Sequence, residues 1–129
     1  MKIEHIAIWA EDIEGLKDFY VRYFDARFGR KYQNTATGFE SYFLRFDSGA
    51  RLEIMQMASV SSGTKDPSKN YTGLAHFAIS VGSRDQVDEL TNRVKADGFQ
   101  VLDGPRMTGD GYYESVVLDT EGNTVEITV

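Results

Sequence analysis

Apolar and polar positions alternate along the chain in a pattern that predicts two similar halves. Each half opens with a short apolar run, KIEHIAIWA or LAHFAISV, continues with a helical periodicity, and closes with alternating strands that end in RLEIM or TVEITV. The helical stripes are Ile13, Leu16, Tyr20, Tyr23 and Phe24 in the first half, and Val87, Leu90 and Val94 in the second. Each half is therefore predicted to be a β-α-β-β-β module.

Capping residues predict where the two helices begin and end. Asp12 is a suitable N-cap for a helix over residues 13–24, and Ser83 with Gln86 has the spacing of a capping box before the second helix. Gly98 suits the position just past the end of the second helix.

Turn residues complete the predicted organisation. The segments DSGA (47–50) and DTEGN (119–123) predict hairpin turns between the last strands of each half. We predict one domain over residues 1–129, with module one at 1–57, a polar linker at 58–73 and module two at 74–129. The predicted fold class is α+β, with the two tandem modules forming a curved, cup-shaped mixed sheet and the helices outside.

Strand alternation places four ionisable residues on the face that is not aliphatic. His5 and His76 each lie in an opening strand, and Glu53 and Glu126 each lie in a closing strand, 48 and 50 residues further along. A carboxylate buried without a partner is costly, so these glutamates either face solvent or have a cationic partner. Two imidazoles and two carboxylates form a credible ligand set for a divalent metal.

Composition narrows the classes of function. The chain of 129 residues contains 20 acidic and 14 basic side chains, which gives a net charge of −6 and argues against nucleic acid or an anionic membrane as partner. Cysteine is absent and His5 and His76 are the only histidines, so a metal site has to use His, Asp or Glu. No apolar run is long enough for a spanning helix and no signal peptide is visible, so a cytoplasmic location is expected.

The motifs EHIAIWAEDIEGLKDFY, RLEIM, GLAHFAISV and DTEGNTVEI, taken in order, resemble those of the vicinal oxygen chelate superfamily. This superfamily includes glyoxalase I, methylmalonyl-CoA epimerase, extradiol dioxygenases and the fosfomycin and bleomycin resistance proteins. The resemblance implies a divalent metal ion (Ni, Zn, Co, Mn or Fe(II)) held by His5, Glu53, His76 and Glu126. A glutamate at both carboxylate positions makes the sequence most similar to the glyoxalase I branch.

The resemblance also implies an activity and an assembly. The expected activity is that of a metal-dependent lyase or isomerase, similar to lactoylglutathione lyase, acting on a small α-oxo or hydroxy-carbonyl compound such as a hemithioacetal. Glu126 is the expected general base, with Glu53 as the alternative. A homodimer with shared sites is expected, although pairing of the two modules within one chain is equally compatible with the sequence.

At the positions expected to contact substrate, the chain departs from the glyoxalase I pattern. Trp9 stands where bacterial glyoxalase I commonly has an arginine, and Phe24-Asp25 replaces the customary Leu-Gly. The candidate substrate-binding residues are Trp9, Met55, Arg51, Arg106 and Tyr113. The alternatives are an Fe(II) dioxygenase, an antibiotic-modifying resistance enzyme, or a non-catalytic drug-binding resistance protein of the same superfamily.

Overall fold

A computed structural model describes residues 1–61, 63 and 66–129, and divides the chain into two compact units, residues 1–64 and 65–129. Three positions of the predicted linker, 62, 64 and 65, lie outside the described residues. The first unit contains β1 (His5–Trp9), α1 (Ile13–Phe24), β2 (Arg27–Phe28), β3 (Tyr32–Asn34), β4 (Phe39–Arg45) and β5 (Arg51–Gln56). The second contains β6 (Phe77–Ser80), α2 (Arg84–Ala96), β7 (Val101–Met107), β8 (Tyr113–Leu118) and β9 (Thr124–Thr128).

The sheet of the first unit places its first and last strands side by side. Its order is β1-β5-β4-β2, with β3 also paired to β4, and β1 runs parallel to β5. In this register His5 lies opposite Arg51, and Ala7 lies opposite Glu53. The opening histidine and the closing glutamate are therefore brought onto one face of adjacent strands.

The second unit repeats this arrangement with a four-stranded sheet in the order β6-β9-β8-β7. Strand β6 runs parallel to β9, where Ala78 lies opposite Glu126, and the other neighbours are antiparallel. Both units are thus mixed sheets carrying one helix, which confirms the predicted α+β class.

Helix α1 has the predicted bounds, and local chemistry explains both ends. The Asp12 side chain accepts a hydrogen bond from the Gly15 amide at 3.0 Å, which satisfies one of the unpaired donors of the first turn. At the other end Asp25 adopts a left-handed conformation with φ of 51°. All five residues of the predicted apolar stripe are buried, together with Phe19.

Helix α2 also begins and ends at the predicted signals. Ser83 Oγ accepts from the Gln86 amide, which is one half of the capping box, and Gly98 follows the helix with φ of 91°. Its predicted stripe of Val87, Leu90 and Val94 is buried.

The core of each unit lies between its helix and the aliphatic face of its sheet. In the first unit Leu52 and Ile54 of β5 are buried, and in the second unit Val125 and Ile127 of β9 are buried. Burying a side chain of this size stabilises the folded state by about 1.5–3 kcal/mol. Because side chains alternate along a strand, this burial leaves Glu53 and Glu126 on the opposite face.

The strand that follows the helix departs from the simple pattern in both units. In the first unit it is divided into β2 and β3, since the step from Phe28 to Tyr32 faces a shorter step from Leu44 to Ser41 on β4. In the second unit β7 shifts register twice against β8. Such bulges twist a strand and redirect its side chains. Among the described helices, none is long and apolar enough to cross a membrane.

Candidate metal centre

The first unit brings His5 and Glu53 together across β1 and β5. The distance from His5 Nε2 to Glu53 Oε2 is 3.7 Å, and the side chains are 39% and 15% exposed. Glu53 is largely enclosed, and its register partner on the neighbouring strand β4 is Phe43. The imidazole is the accessible member of this pair.

The second unit forms the corresponding pair from His76 and Glu126. His76 lies one residue before β6, and its Nε2 is 3.2 Å from Glu126 Oε1 on β9. The Glu126 side chain is 17% exposed, close to the value for Glu53. Two glutamates that stand at matching places in sequence therefore have matching imidazole neighbours in the structure.

The surroundings of Glu126 change the proton affinity of its carboxyl. Burial raises the pKa of its carboxyl above the ordinary value, although the nearby charges of His76 and Arg106 lower that pKa. The carboxylates of Glu114 and Asp110 add to the rise. A carboxyl whose pKa is raised is a better proton acceptor when it is ionised, as a general base requires.

The distance between the two donor atoms of each pair can be compared with the separation of two ligands on one cation. Two donors that each lie roughly 2.0–2.2 Å from one Zn²⁺ are about 2.8–3.6 Å apart at octahedral or tetrahedral angles. The His76–Glu126 distance of 3.2 Å falls inside this range, and the His5–Glu53 distance of 3.7 Å lies just outside it. Imidazole with carboxylate also suits Zn, Ni, Co, Mn and Fe(II).

Each pair alone supplies two ligands. Across residues 1–61, 63 and 66–129, no group of three or more His, Cys, Asp and Glu side chains is close enough to hold a metal ion. We call the pair of His5 and Glu53 and the pair of His76 and Glu126 half-sites.

Trp9 and Met55 extend the face of the first half-site. They are register partners on β1 and β5, and by alternation they share the face of His5 and Glu53. Trp9 is 43% exposed, and its ring meets the edge of Phe39 at 6.1 Å between centroids. An accessible apolar surface therefore adjoins the candidate ligands.

The two candidate arginines already have carboxylate partners. The Arg51 guanidinium binds Glu4 and lies over the Phe43 ring, 4.0 Å from its centroid. The Arg106 guanidinium binds Asp103, with Nε donating to Oδ2 at 2.6 Å, and lies opposite Glu114 on β8. By register Arg106 shares the face of Glu126, and about half of its side chain is exposed.

Tyr113 lies away from the half-site of its unit. Its hydroxyl donates to Asp88 of α2 at 2.7 Å, and the Arg84 guanidinium lies over its ring. It shares the helix-facing side of β8 with Ser115 and Val117, both buried, whereas Glu126 faces the other side. These contacts favour a packing role for Tyr113 over substrate binding.

A separate open cavity of about 550 Å³ lies in the first unit, where β1 and β5 end. Its lining includes Ala10, Glu11, Glu40, Gln56 and Met57. The Gln56 side chain is held by the Ile13 amide and the Glu11 carbonyl, and Glu40 is paired with Lys31. The lining includes neither His5 nor Glu53, so the cavity adjoins the site face without containing the ligands.

Sequence alternation did not identify Glu4 as part of the site. Alternation along the opening apolar run KIEHIAIWA would put Glu4 on the face opposite His5, but β1 begins at His5, and Glu4 precedes the alternation. Its Oε2 lies 2.5 Å from His5 Nδ1. Arg51, which anchors Glu4, lies directly across from His5 in the strand register, and that register is not visible in the sequence.

A family model described as the glyoxalase/bleomycin resistance protein/dioxygenase superfamily matches residues 2–127. A relative from Bacillus subtilis (strain 168), named uncharacterized protein YqjT, is 27% identical over 128 residues, which are 97% of this chain and 96% of that protein.

Solved structures show the same fold. A glyoxylase/bleomycin resistance protein/dioxygenase domain from Frankia sp. EAN1pec aligns with a TM-score of 0.82 and 15% identity, covering 100% of this chain and 97% of that chain. The trypanothione-dependent glyoxalase I of Leishmania major aligns with a TM-score of 0.78 and 21% identity, covering 99% and 86%. With a family model that spans nearly its whole length, the chain belongs to the glyoxalase/bleomycin resistance protein/dioxygenase superfamily.

Proposed function

We propose that this protein is a metal-dependent lyase or isomerase of glyoxalase I type, acting on a small α-oxo or hydroxy-carbonyl compound. The observation that carries the proposal is the recurrence of one imidazole–carboxylate pair, at separations of 3.7 and 3.2 Å, in matching places of the two units. A structural ion pair would explain one such contact, but it gives no reason for the same pair to recur on the less apolar face of both sheets.

The residues that would hold the divalent metal ion are His5, Glu53, His76 and Glu126, which fit Ni, Zn, Co, Mn or Fe(II) by donor type. When bound, such a cation supplies Lewis acidity that polarises a carbonyl oxygen of the substrate. The four donors belong to two half-sites, and we propose that a homodimer shares its sites between subunits, with each site taking one half-site from each chain.

Glu126 is the proposed general base. Its carboxylate takes a proton from the carbon beside the carbonyl and returns that proton to the neighbouring carbon, so the reaction is an isomerisation without net oxidation. The raised pKa of Glu126 supports this assignment, because a more basic carboxylate accepts the proton more readily. Glu53 is the alternative base, and His5 and His76 act as neutral ligands.

The substrate class follows from the surfaces beside the half-sites. Trp9 and Met55 offer an accessible apolar surface, and Arg106 is placed to attract an anionic group on the side of Glu126. A hemithioacetal with an apolar substituent suits these contacts.

The same apolar surface also favours one other function, the non-catalytic binding of an aromatic drug-like compound. An Fe(II) dioxygenase or resistance enzyme is the remaining alternative, and in the superfamily these commonly use three protein ligands rather than four.

Metal content tests the proposal directly. The protein is purified without a histidine tag, reconstituted separately with Ni, Co, Zn, Mn and Fe(II), and measured by elemental mass spectrometry beside His5→Ala, His76→Ala and the control Glu89→Gln, an exposed glutamate of α2. We expect about one metal per chain in the wild type and the control, and strong loss in both histidine variants.

Assays of turnover then distinguish a lyase or isomerase from a dioxygenase. Hemithioacetals of several thiols are screened with the loaded protein, and oxygen consumption is recorded in the same samples. Isomerisation without oxygen uptake supports the proposal, whereas oxygen uptake indicates the dioxygenase. Absence of metal under all five conditions would refute the enzyme and leave ligand binding as the function to test.

A further inference from the structure

The half-site of the first unit is held by residues that the proposed chemistry does not use. Glu4 contacts both His5 and Arg51: one carboxylate oxygen lies 2.5 Å from His5 Nδ1, and the other binds the Arg51 guanidinium. That guanidinium lies over the Phe43 ring. The Phe43 ring and the His5 imidazole pack edge to face, with 5.4 Å between their centroids. His5, Glu4, Arg51 and Phe43 therefore form a closed ring of contacts, which we call the Glu4 bridge.

The second half-site lacks the corresponding residues. Ala75 precedes His76 where Glu4 precedes His5, and Thr124 lies at the start of β9 where Arg51 starts β5. Within the described part of the chain, the polar contact recorded for the His76 ring is with Glu126 through Nε2. The two half-sites share their ligand types but differ in how the imidazole is supported.

We propose that Glu4, anchored by Arg51, is a positioning residue that holds His5 in the Nδ1–H tautomer with Nε2 free toward Glu53. This inference rests on the proposed function. An ionised carboxylate only accepts hydrogen bonds, so the imidazole nitrogen that faces Glu4 has to carry the proton. The lone pair on the ring is then confined to Nε2, which lies 3.7 Å from the Glu53 carboxylate.

A carboxylate behind a ligating histidine fixes the ring and strengthens the imidazole as a donor. Arg51 contributes by restraining the Glu4 side chain, which is otherwise about half exposed. The first half-site is thereby preorganised before a cation arrives. This asymmetry assigns Arg51 to the support of His5, in preference to substrate contact.

The tautomer of His5 provides a readout that needs neither metal nor substrate. We expect ¹⁵N-detected imidazole spectra of the metal-free protein to show His5 as the Nδ1–H form in the wild type and as a mixture in Glu4→Gln. The His76 signals serve as an internal reference and should stay unchanged. A His5 tautomer that is the same in both proteins would overturn the proposal.

Affinity for Zn²⁺ alone, measured by calorimetric titration of the metal-free protein, provides the second readout. Glu4→Gln and Arg51→Leu should each weaken binding, Glu4→Gln by roughly 10–100-fold, whereas Glu89→Gln should leave binding unchanged. Glu4→Asp should recover part of the loss, which a change of surface charge alone would not explain. Unchanged affinity in Glu4→Gln would contradict the positioning role.

Thermal unfolding of each variant controls for misfolding, since Glu4 is exposed and its replacement should leave stability nearly unchanged. Failure of the wild type to bind Zn²⁺ or any other reconstituted metal would refute the proposed function. The His5 tautomer would still decide, separately, whether Glu4 positions the imidazole.

Discussion

At the scale of single residues, Glu53 and Glu126 show how similar side chains acquire different chemistry. Both are largely enclosed and both face an imidazole. For Glu126, burial raises the pKa of the carboxyl, and the negative charges of Glu114 and Asp110 raise it further. The raised pKa of Glu126 supports the proposal that this residue transfers the proton, while both glutamates are proposed as metal ligands.

Replacing Glu126 by glutamine is expected to lower kcat by roughly 10²–10⁴-fold, because an amide cannot accept the substrate proton. The amide oxygen still binds a cation, so metal content measured by mass spectrometry should be largely retained. Glu53→Gln is the matched control, since it alters the equivalent ligand of the other half-site. A larger loss of kcat in Glu53→Gln than in Glu126→Gln would reverse the assignment of the base.

Glu14 of α1 makes stability depend on pH. Hydrogen bonds from Lys17 and Lys31, with a further one from Tyr42, lower the pKa of Glu14 from 4.5 to about 2. A carboxyl whose folded-state pKa is depressed stabilises the fold above pH 4.5, and this contribution is lost as the pH falls toward about 2. Because nearly half of the side chain is exposed, screening limits the effect to about 1 kcal/mol or less.

Urea unfolding of Glu14→Gln and wild type at several pH values tests this contribution. We expect the variant to be less stable at pH 7, and the difference to vanish as the pH approaches the folded-state pKa of about 2. Glu89→Gln should show no such convergence. A difference between Glu14→Gln and wild type that is independent of pH would rule out the ionised carboxylate as its source.

At the scale of elements, the regular parts were predictable from sequence and the irregular parts were not. Helix α1 and both N-caps follow from local signals, namely an apolar period of 3.6 and side chains that bond the first free amides. The division of one strand into β2 and β3, and the register shifts of β7, depend on pairing with β4 and β8. Alternation alone carries no information about such pairing, so the contact of Glu4 with His5 and that of Tyr113 with Asp88 could not be predicted from the sequence.

Gly104 of β7 is a position where an added side chain would meet the neighbouring strand. Its φ is 77°, and a Cβ atom there would lie 2.5 Å from the Glu114 carbonyl oxygen of the neighbouring strand. Gly104→Ala should therefore destabilise the fold by about 2 kcal/mol or more, and should displace Arg106 from the face of Glu126. Chemical denaturation measures the first effect, and the KM for an anionic substrate reports the second.

Gly109→Ala is the matched control, because its added Cβ would meet nothing within 4 Å and its φ is not strained. This variant should lose no more than a few tenths of a kcal/mol. Equal stability of the two alanine variants would show that β7 relaxes around Gly104 without cost.

At the scale of the whole molecule, the two units of the chain repeat one arrangement of strands and one His–Glu pair. Each unit pairs its first and last strands in parallel, and each thereby brings a histidine and a glutamate to one face. Two donors bind a divalent cation weakly, whereas four provide a complete protein shell with positions left for substrate oxygens. The repeated unit can therefore provide a four-ligand metal site only if two half-sites combine. In the homodimer proposed above, the two half-sites of each site come from different chains.

Complementation between two inactive variants tests this arrangement. His5→Ala lacks a ligand of the first half-site, and His76→Ala lacks a ligand of the second. If each site takes one half-site from each subunit, a mixed dimer contains one site with both substitutions and one site with neither. Random mixing should then restore about a quarter of the wild-type metal sites, because half of the dimers are mixed and each mixed dimer has one intact site out of two.

Metal content and kcat are measured after the two variants are unfolded together and refolded, with each variant refolded alone as the control. If half-sites combine within one chain, every chain in the mixture keeps a damaged site, and neither metal content nor kcat rises above the controls.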